Sequence, residues 1–293
     1  MIRHNRFSPL FWTQFFGALN DNFLKNSLVM LITFKGIKLF GFESSVLVAF
    51  AGGIFILPFF LFSTHAGQLA DKYEKSFLVV VTKIWEVGIA LIASVGFYLE
   101  SYGILLLLLF LMGVQSTFFG PLKYSIIPDL VEKEDLTEAN AYVEMGTFVS
   151  ILLGTIAGGL STNIENSTAY IITGLITVSI FGLIASRRLP KIGKGQSQLK
   201  IKLNPIPSMV DLFRNLAGQK ILFQSIIAIS WFWFFGAGIL SILPVFGREF
   251  LRVGPDIVTA FLAMFTLGIG IGSLICNKLS FKQVEIGLVP LGA

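Results

Sequence analysis

The sequence predicts an all-α, multi-pass membrane protein, and three observations predict it. Of its 293 residues, 54% are hydrophobic and 13% charged. Soluble domains carry about 25% charged residues, so this much apolar surface has no water-soluble core to hide in. The runs Ser45–Phe62, Gly103–Gly113 and Ile221–Leu243 contain no charged residue at all, which suits bilayer-crossing helices of about 20 mostly apolar residues. Finally, none of these runs alternates polar with apolar as barrel strands do, and hydrocarbon admits only helices and closed barrels.

Taken in order, the first span covers about 8–34. Charge precedes it in Met1–Arg6, but no small-residue cleavage site follows, so it reads as a retained helix and not a removed signal peptide. Gln14, Gly17, Ala18, Asp21 and Lys25 fall at i, i+3, i+4, i+7 and i+11, one polar stripe along that helix. Asp21 and Lys25 can simply neutralise each other at i, i+4. With three asparagines beside them, the stronger reading is a cavity lining, because charge inside a membrane needs a partner or water. The second span, 45–70, ends in Gly67, Asp71, Lys72 and Lys75. Gly67 lets two helices approach, and the charges make a latch at the membrane face.

The third span, 77–98, carries Lys83 and Glu86 three residues apart, placed to pair. Lys83 lies about 9 Å from the inner helix end at 1.5 Å per residue, near enough to snorkel. The fourth span, 103–127, ends with Gly120 and Pro121 ahead of Lys123. The proline removes a backbone donor and shapes that helix end. Gln115 lies two turns above Lys123 on a similar face. In the fifth span, 139–161, Asn140, Glu144 and Thr147 share a face, and Glu144 is deep enough to need Lys123 or Lys25 as partner. Gly154 and Gly158 of the same span read as a close-packing face.

The sixth span covers 168–186, and residues 187–220 form a basic linker. Within it Met209, Leu212, Phe213 and Leu216 have helical spacing, with Ser208 and Asp211 as a cap and Gly218 as a stop. An amphipathic helix on the inner surface is expected there. Spans seven and eight cover 221–247 and 256–277, and a ninth begins near Val284. The expected organisation is a six-helix bundle over 1–186, a cytoplasmic linker over 187–220 and an incomplete second bundle over 221–293. Of 22 Lys and Arg, Lys35, Lys38, Arg248 and Arg252 fall on one side, Lys25 and Lys83 lie within spans, and the other 16 fall on the side of the N-terminus. That bias sets the N-terminus in the cytoplasm. It also accounts for the net charge of +5 without a nucleic-acid partner. The lone Cys276 excludes an intramolecular disulfide and a cysteine-rich metal site. His4 and His65 stand apart. No catalytic constellation, metal site or cofactor motif is present, so transport is expected and catalysis is not.

Several of these stretches carry a resemblance. Gly67-Gln68-Leu69-Ala70-Asp71-Lys72-Tyr73-Glu74-Lys75 resembles the G-x-L-a-D-r-x-G-r-k signature between helices two and three of the major facilitator superfamily, with Glu74 in place of the second glycine. Gly272–Lys278 is a weaker echo in the second half, with Cys276 where the aspartate would stand, and fits a repeat architecture. Gly146, Gly154, Gly158 and Gly159 are partly similar to that superfamily's antiporter motif but lack its proline. More specifically, Phe16–Asn22, Gly120–Pro128, Ala139–Thr147, Ile229–Phe234 and Val284–Gly292 resemble bacterial lysophospholipid transporters, some of which are fused ahead of an acyltransferase and an acyl-activating enzyme.

This resemblance implies a twelve-helix facilitator, of which the chain holds eight to nine helices. It implies inward movement of lysophospholipids, such as lysophosphatidylethanolamine, across the bacterial inner membrane for reacylation. Asp21 and Lys123 carry over as polar residues of the substrate region, with Glu144 beside them. The residues agree: a phosphate suits Lys25 or Lys123, an ammonium suits Asp21, and a Phe-rich wall suits one acyl chain. Membrane lipids and a fused or associated acyltransferase are the implied partners. Two other readings stand beside it. One is a proton-coupled exporter of amphipathic drugs, relaying protons through Asp21, Glu86 and Glu144. The other is the membrane domain of a fused acyltransferase.

Overall fold

Apolar runs punctuated by charge and glycine become helices joined by short turns. A computed structural model describes residues 5–192, 195, 199, 201, 204, 207, 210, 214, 216 and 218–279. The first helix, α1, spans Ser8–Lys35, with a proline in its first turn. It stops at Gly36, whose φ of 63° is left-handed, with its N–H capping the carbonyls of Ile32 and Thr33; a side chain there would strain the backbone. Next come α2 (Ser44–Lys72), α3 (Lys75–Tyr98) and α4 (Tyr102–Ser125), the last containing Pro121. A single turn, Ile127–Leu130, leads on to α5 (Leu136–Leu160) and α6 (Ser167–Ser186). Beyond the linker, α7 (Lys220–Phe246) runs into a π-helical turn at Gly247–Leu251, and α8 covers Pro255–Leu279.

These helices stand at the eight expected spans. Six of them, α2 to α7, are long and apolar enough to cross a membrane. At 28 residues α1 also has the length, about 42 Å, but Asn20, Asp21, Asn22, Lys25 and Asn26 interrupt its apolar surface. It resolves that conflict by position: α1 packs against α5, α6, α2 and α4 and buries its polar residues among helices instead of in lipid. In α8 the described apolar stretch is Pro255–Ile269. The side chains of Cys276 and Lys278, the expected surface helix around Met209, Leu212 and Phe213, and the ninth span from Val284 all lie outside the described residues.

Glycines set the closest contacts. A Cβ at Gly154 of α5 would lie 2.6 Å from the Leu19 carbonyl oxygen, and one at Gly158 would lie 2.8 Å from that of Phe23. Backbone therefore meets backbone along the α1–α5 seam, the expected small-residue packing. Gly113 of α4 likewise sits against the Phe55 carbonyl of α2. Two apolar clusters result. One gathers Leu24, Leu28, Ile32, Leu105 and Leu109. The other gathers Phe7, Leu10, Leu122, Ile126 and Val143 towards the start of α1. A polar layer lies between them.

The contacts of α7 and α8 with the first six helices gather at the far end of α1. Met30 packs with Val258 and Leu262, Gly159 meets Thr259, and Arg248 Nη2 lies 3.1 Å from where a Gly36 Cβ would be. Gly52 faces Ser241 there too. Along its whole length α7 buries only Pro244 among the described residues.

Candidate functional site

The polar layer is built on three helices at mid-height. Asn20, Lys83 and Glu86 have no exposed surface, and Gln115 has 2%. Lys83 Nζ meets Glu86 Oε2 at 2.6 Å. Glu86 Oε1 accepts Asn20 Nδ2–H at 3.1 Å. Gln115 Nε2 donates to the Thr82 carbonyl at 3.3 Å and reaches Glu86 Oε2 at 3.4 Å. The ammonium also stands 4.7 Å over the Phe119 ring. It does not snorkel as expected. Gly17 has no side chain, and the Lys83 ammonium fills the space its Cβ would take, so Glu86 is reached within the bundle. Two buried charges persist only when paired and further hydrogen-bonded, and this pair is both. Charges three apart in an apolar helix signalled the pair, but nothing in the spacing pointed to Asn20 or Gln115 as its partners.

Asp21, half-buried, faces α4: its Oδ2 accepts the Ser116 hydroxyl at 2.5 Å. Its Oδ1 is buried with no hydrogen-bond partner among the described residues. Lys25 is near enough for its charge to act on Asp21, yet it donates to Asn22 Oδ1 at 3.2 Å and stands 5.6 Å from the Phe55 ring. The simple i, i+4 ion pair is therefore not made. Lys123 lies 4.7 Å over Tyr124, whose hydroxyl donates to Glu144, and it lies within range of the charges of both Glu144 and Asp21. Asp21 thus faces Ser116 of α4, and Glu144 is joined to α4 through Tyr124. Lys25 and Lys123 are both half-buried without a carboxylate hydrogen bond among the described residues.

The rest of the stripe serves packing. Gln14 donates to the Val143 carbonyl at 3.2 Å and accepts from Thr147 at 2.9 Å. Asn26 donates to Thr155 at 3.2 Å. These bonds bolt α1 to α5. Beside the charges runs an aromatic wall, with ring centroids 6.2 Å apart for Phe55 and Phe59, 6.4 Å for Phe62 and Phe118, and 6.3 Å for Trp85 and Phe118. The arrangement offers two cations and a free carboxylate oxygen next to an apolar surface.

At the end where α1 begins, Asp71 is exposed and, among the described residues, no other helix comes within 4 Å of where a Gly67 Cβ would be. Lys72 stands 5.6 Å from the Tyr73 ring. Lys75 ties α3 to the end of α4, donating to the Ser125 carbonyl at 2.6 Å and to Asp129 at 2.9 Å. Glu74 accepts the Ser76 hydroxyl at 2.8 Å and the Ile192 N–H at 3.3 Å, and so holds the start of the linker.

A sequence model described as the Major Facilitator Superfamily matches residues 10–292. Among curated proteins, the lysophospholipid transporter LplT of Escherichia coli O1:K1 / APEC is 25% identical over 250 residues, covering 82% of this chain and 59% of that protein. LplT of Yersinia enterocolitica serotype O:8 is 27% identical over 185 residues, covering 63% and 42%. The chain therefore spans less than two thirds of the relatives it matches. A crystal structure of a bacterial homolog to the human lysosomal transporter Spinster, inward-facing and unoccupied, superimposes with a TM-score of 0.71 at 18% identity, over 98% of this chain and 64% of that one. That likeness is one of fold.

Proposed function

This chain belongs to the Major Facilitator Superfamily, and from that premise we propose that it moves lysophospholipids across the bacterial inner membrane. The single observation that carries the reading is the mid-height site, where Asp21 keeps an oxygen with no hydrogen-bond partner among the described residues and Lys25, one turn along the same helix, donates to Asn22 and to no carboxylate among those residues. A half-buried cation without a carboxylate bond is stabilised by an arriving anion, so the phosphate of the head group goes to Lys25 or Lys123. A head-group ammonium goes to Asp21, while Glu144, held by Tyr124, balances Lys123. The acyl chain lies along Phe55, Phe59, Phe62 and Phe118. The LplT relatives support the same substrate class.

With the N-terminus cytoplasmic, the end joined by α7 and α8 faces outwards and the site opens inwards. Gly67, Asp71, Lys72 and Lys75 then lie at the inner end, where the latch would meet a second bundle once that end closes. In this reading residues 1–186 form the first bundle, 187–220 the linker and 221–293 part of the second. An acyltransferase on the cytoplasmic side consumes the delivered lipid.

The test expresses the protein from its complete gene in spheroplasts that lack their own carrier. External lysophosphatidylethanolamine should appear as diacyl lipid. Asp21→Ala and Lys123→Ala should each lower that conversion by about tenfold, equivalent to about 1.4 kcal/mol, with the internal acyltransferase rate unchanged. No conversion by the unaltered protein overturns the proposal.

A further inference from the structure

We infer that Glu74 and Ser76 fasten the start of the linker as a strap across the α2–α3 turn. Arg187–Ile192 and Gly195 then travel with the first bundle and hold the latch residues Asp71 and Lys72 in place through the transport cycle; the inference rests on the transport reading above. Helix α6 ends at Ser186, and Pro190 cannot continue it. Ser76, buried at the start of α3, grips the chain on both sides of Lys191. Its hydroxyl reaches the Pro190 carbonyl at 3.0 Å and accepts the Ile192 N–H at 3.1 Å. Glu74 Oε1 is a second acceptor for both protons, 2.8 Å from the Ser76 hydroxyl and 3.3 Å from the Ile192 nitrogen. Lys191 between the two grips is exposed, whereas Leu189 and Ile192 are buried with Leu10, Ala70 and Val79. A buried N–H without an acceptor is costly, so these two oxygens keep the strap against the bundle. Glu74 stands where the signature it resembles has a glycine, and a glycine would supply no such acceptor.

The second fastening lies on the other side of the turn. Helix α2 ends at Lys72, and the last carbonyls of a helix have no partner within it. A Cβ at Gly195 would lie 2.6 Å from the Asp71 carbonyl oxygen and 2.8 Å from that of Lys72, so only a residue without a side chain passes there. The strap therefore meets the turn at both ends, α3 through Ser76 and α2 through Gly195. The Asp71 side chain stays exposed beside it. A displacement of the strap is delivered directly to the backbone of Asp71 and Lys72, which makes Glu74, Ser76 and Gly195 positioning residues for the latch.

The experiment expresses the protein from its complete gene and reads two quantities. One is hydrogen exchange at the Ile192 amide in detergent; the other is uptake of lysophosphatidylethanolamine at matched amounts in the membrane. In the unaltered protein that amide should exchange slowly, and equally with and without the lipid. Glu74→Ala combined with Ser76→Ala should speed its exchange about tenfold. The same pair should lower Vmax severalfold and leave KM within about twofold. Glu74→Gln, which keeps an acceptor oxygen, and Lys191→Ala should leave exchange and uptake unchanged. Gly195→Val, which touches neither acceptor, should lower Vmax as the double variant does. Fast exchange at Ile192 in the unaltered protein, release of that amide on adding lipid, or normal Vmax in the double variant and Gly195→Val overturns the strap. If the double variant does not reach the membrane, Gly195→Val decides alone on the same criterion. Absence of both from the membrane also overturns it, since the contacts would then be folding elements. Failure of the underlying reading shows separately, as no uptake by the unaltered protein while Ile192 stays protected, and takes the role in transport with it.

Discussion

The Lys83 ammonium occupies the space where any side chain at position 17 would begin. Gly17→Val should therefore drive Lys83 off Glu86 and leave two buried charges uncompensated, a loss of about 3 kcal/mol. Gly88 lies in the same helix as Lys83, with nothing within 4 Å of its Cβ direction. Gly88→Ala should gain up to about 1 kcal/mol from helix propensity. Opposite shifts in thermal unfolding, followed by tryptophan fluorescence in detergent, are the expected result. Equal melting of Gly17→Val and the unaltered protein would mean that Lys83 is not anchored there. At this scale the sequence located Asp21, Lys25, Lys123 and Glu144 on the correct helices, because charge in an apolar run is conspicuous. It missed their partners. Ser116 and Tyr124, which bond to Asp21 and Glu144, are ordinary membrane-helix residues whose role depends on which helix faces them.

Among the elements, α1 and α5 are the most tightly joined, and the cause is a glycine seam together with bonds from Gln14 and Asn26. The two kinds of glycine in this chain predict different failures. Gly154→Leu forces a branched side chain into the Leu19 carbonyl, and overpacking of that kind typically costs about 1–3 kcal/mol. The variant should be lost from the membrane or run as aggregate in size-exclusion chromatography. Gly67, at the end where α1 begins, has no other helix within 4 Å among the described residues. Gly67→Leu should insert and run as the unaltered protein does, yet transport slowly, because the obstruction arises only when that end closes. Normal transport by Gly67→Leu would reduce the α2–α3 turn to a connector. Both glycines were visible in the sequence within motif-like surroundings. Only the packing distinguishes the one already in contact from the one still waiting for it.

Across the whole molecule, the described contacts of α7 and α8 with the first six helices gather at one end, around Met30, Gly36, Gly52 and Gly159. A Cβ at Gly52 would lie 3.1 Å from Ser241 Oγ, close to the distance of about 3 Å between a Cβ and the far sulfur of a disulfide. In a Cys276→Ser background, Gly52→Cys with Ser241→Cys should oxidise readily and lock that end shut. Transport should then stop on oxidation and return with reductant, whereas each single variant transports under both conditions. Transport that persists in the oxidised pair would mean that this end does not open during the cycle.

Composition and the uncharged runs determined by themselves that this is a helical membrane protein, and they placed its eight helices. The bilayer imposes one demand, a long apolar helix with satisfied backbone, that any reader of hydropathy can recognise. Sequence also supplied the depth of each charge, since depth follows from the rise per residue. What the tertiary structure alone decided was pairing. It set Glu86 with Lys83, Asn20 and Gln115, placed Ser116 on Asp21, and closed one end of the bundle around Gly36, Gly52 and Gly159. Those contacts join residues on different helices, far apart in the chain, and helical periodicity tells which face a residue occupies but not which neighbour that face will meet.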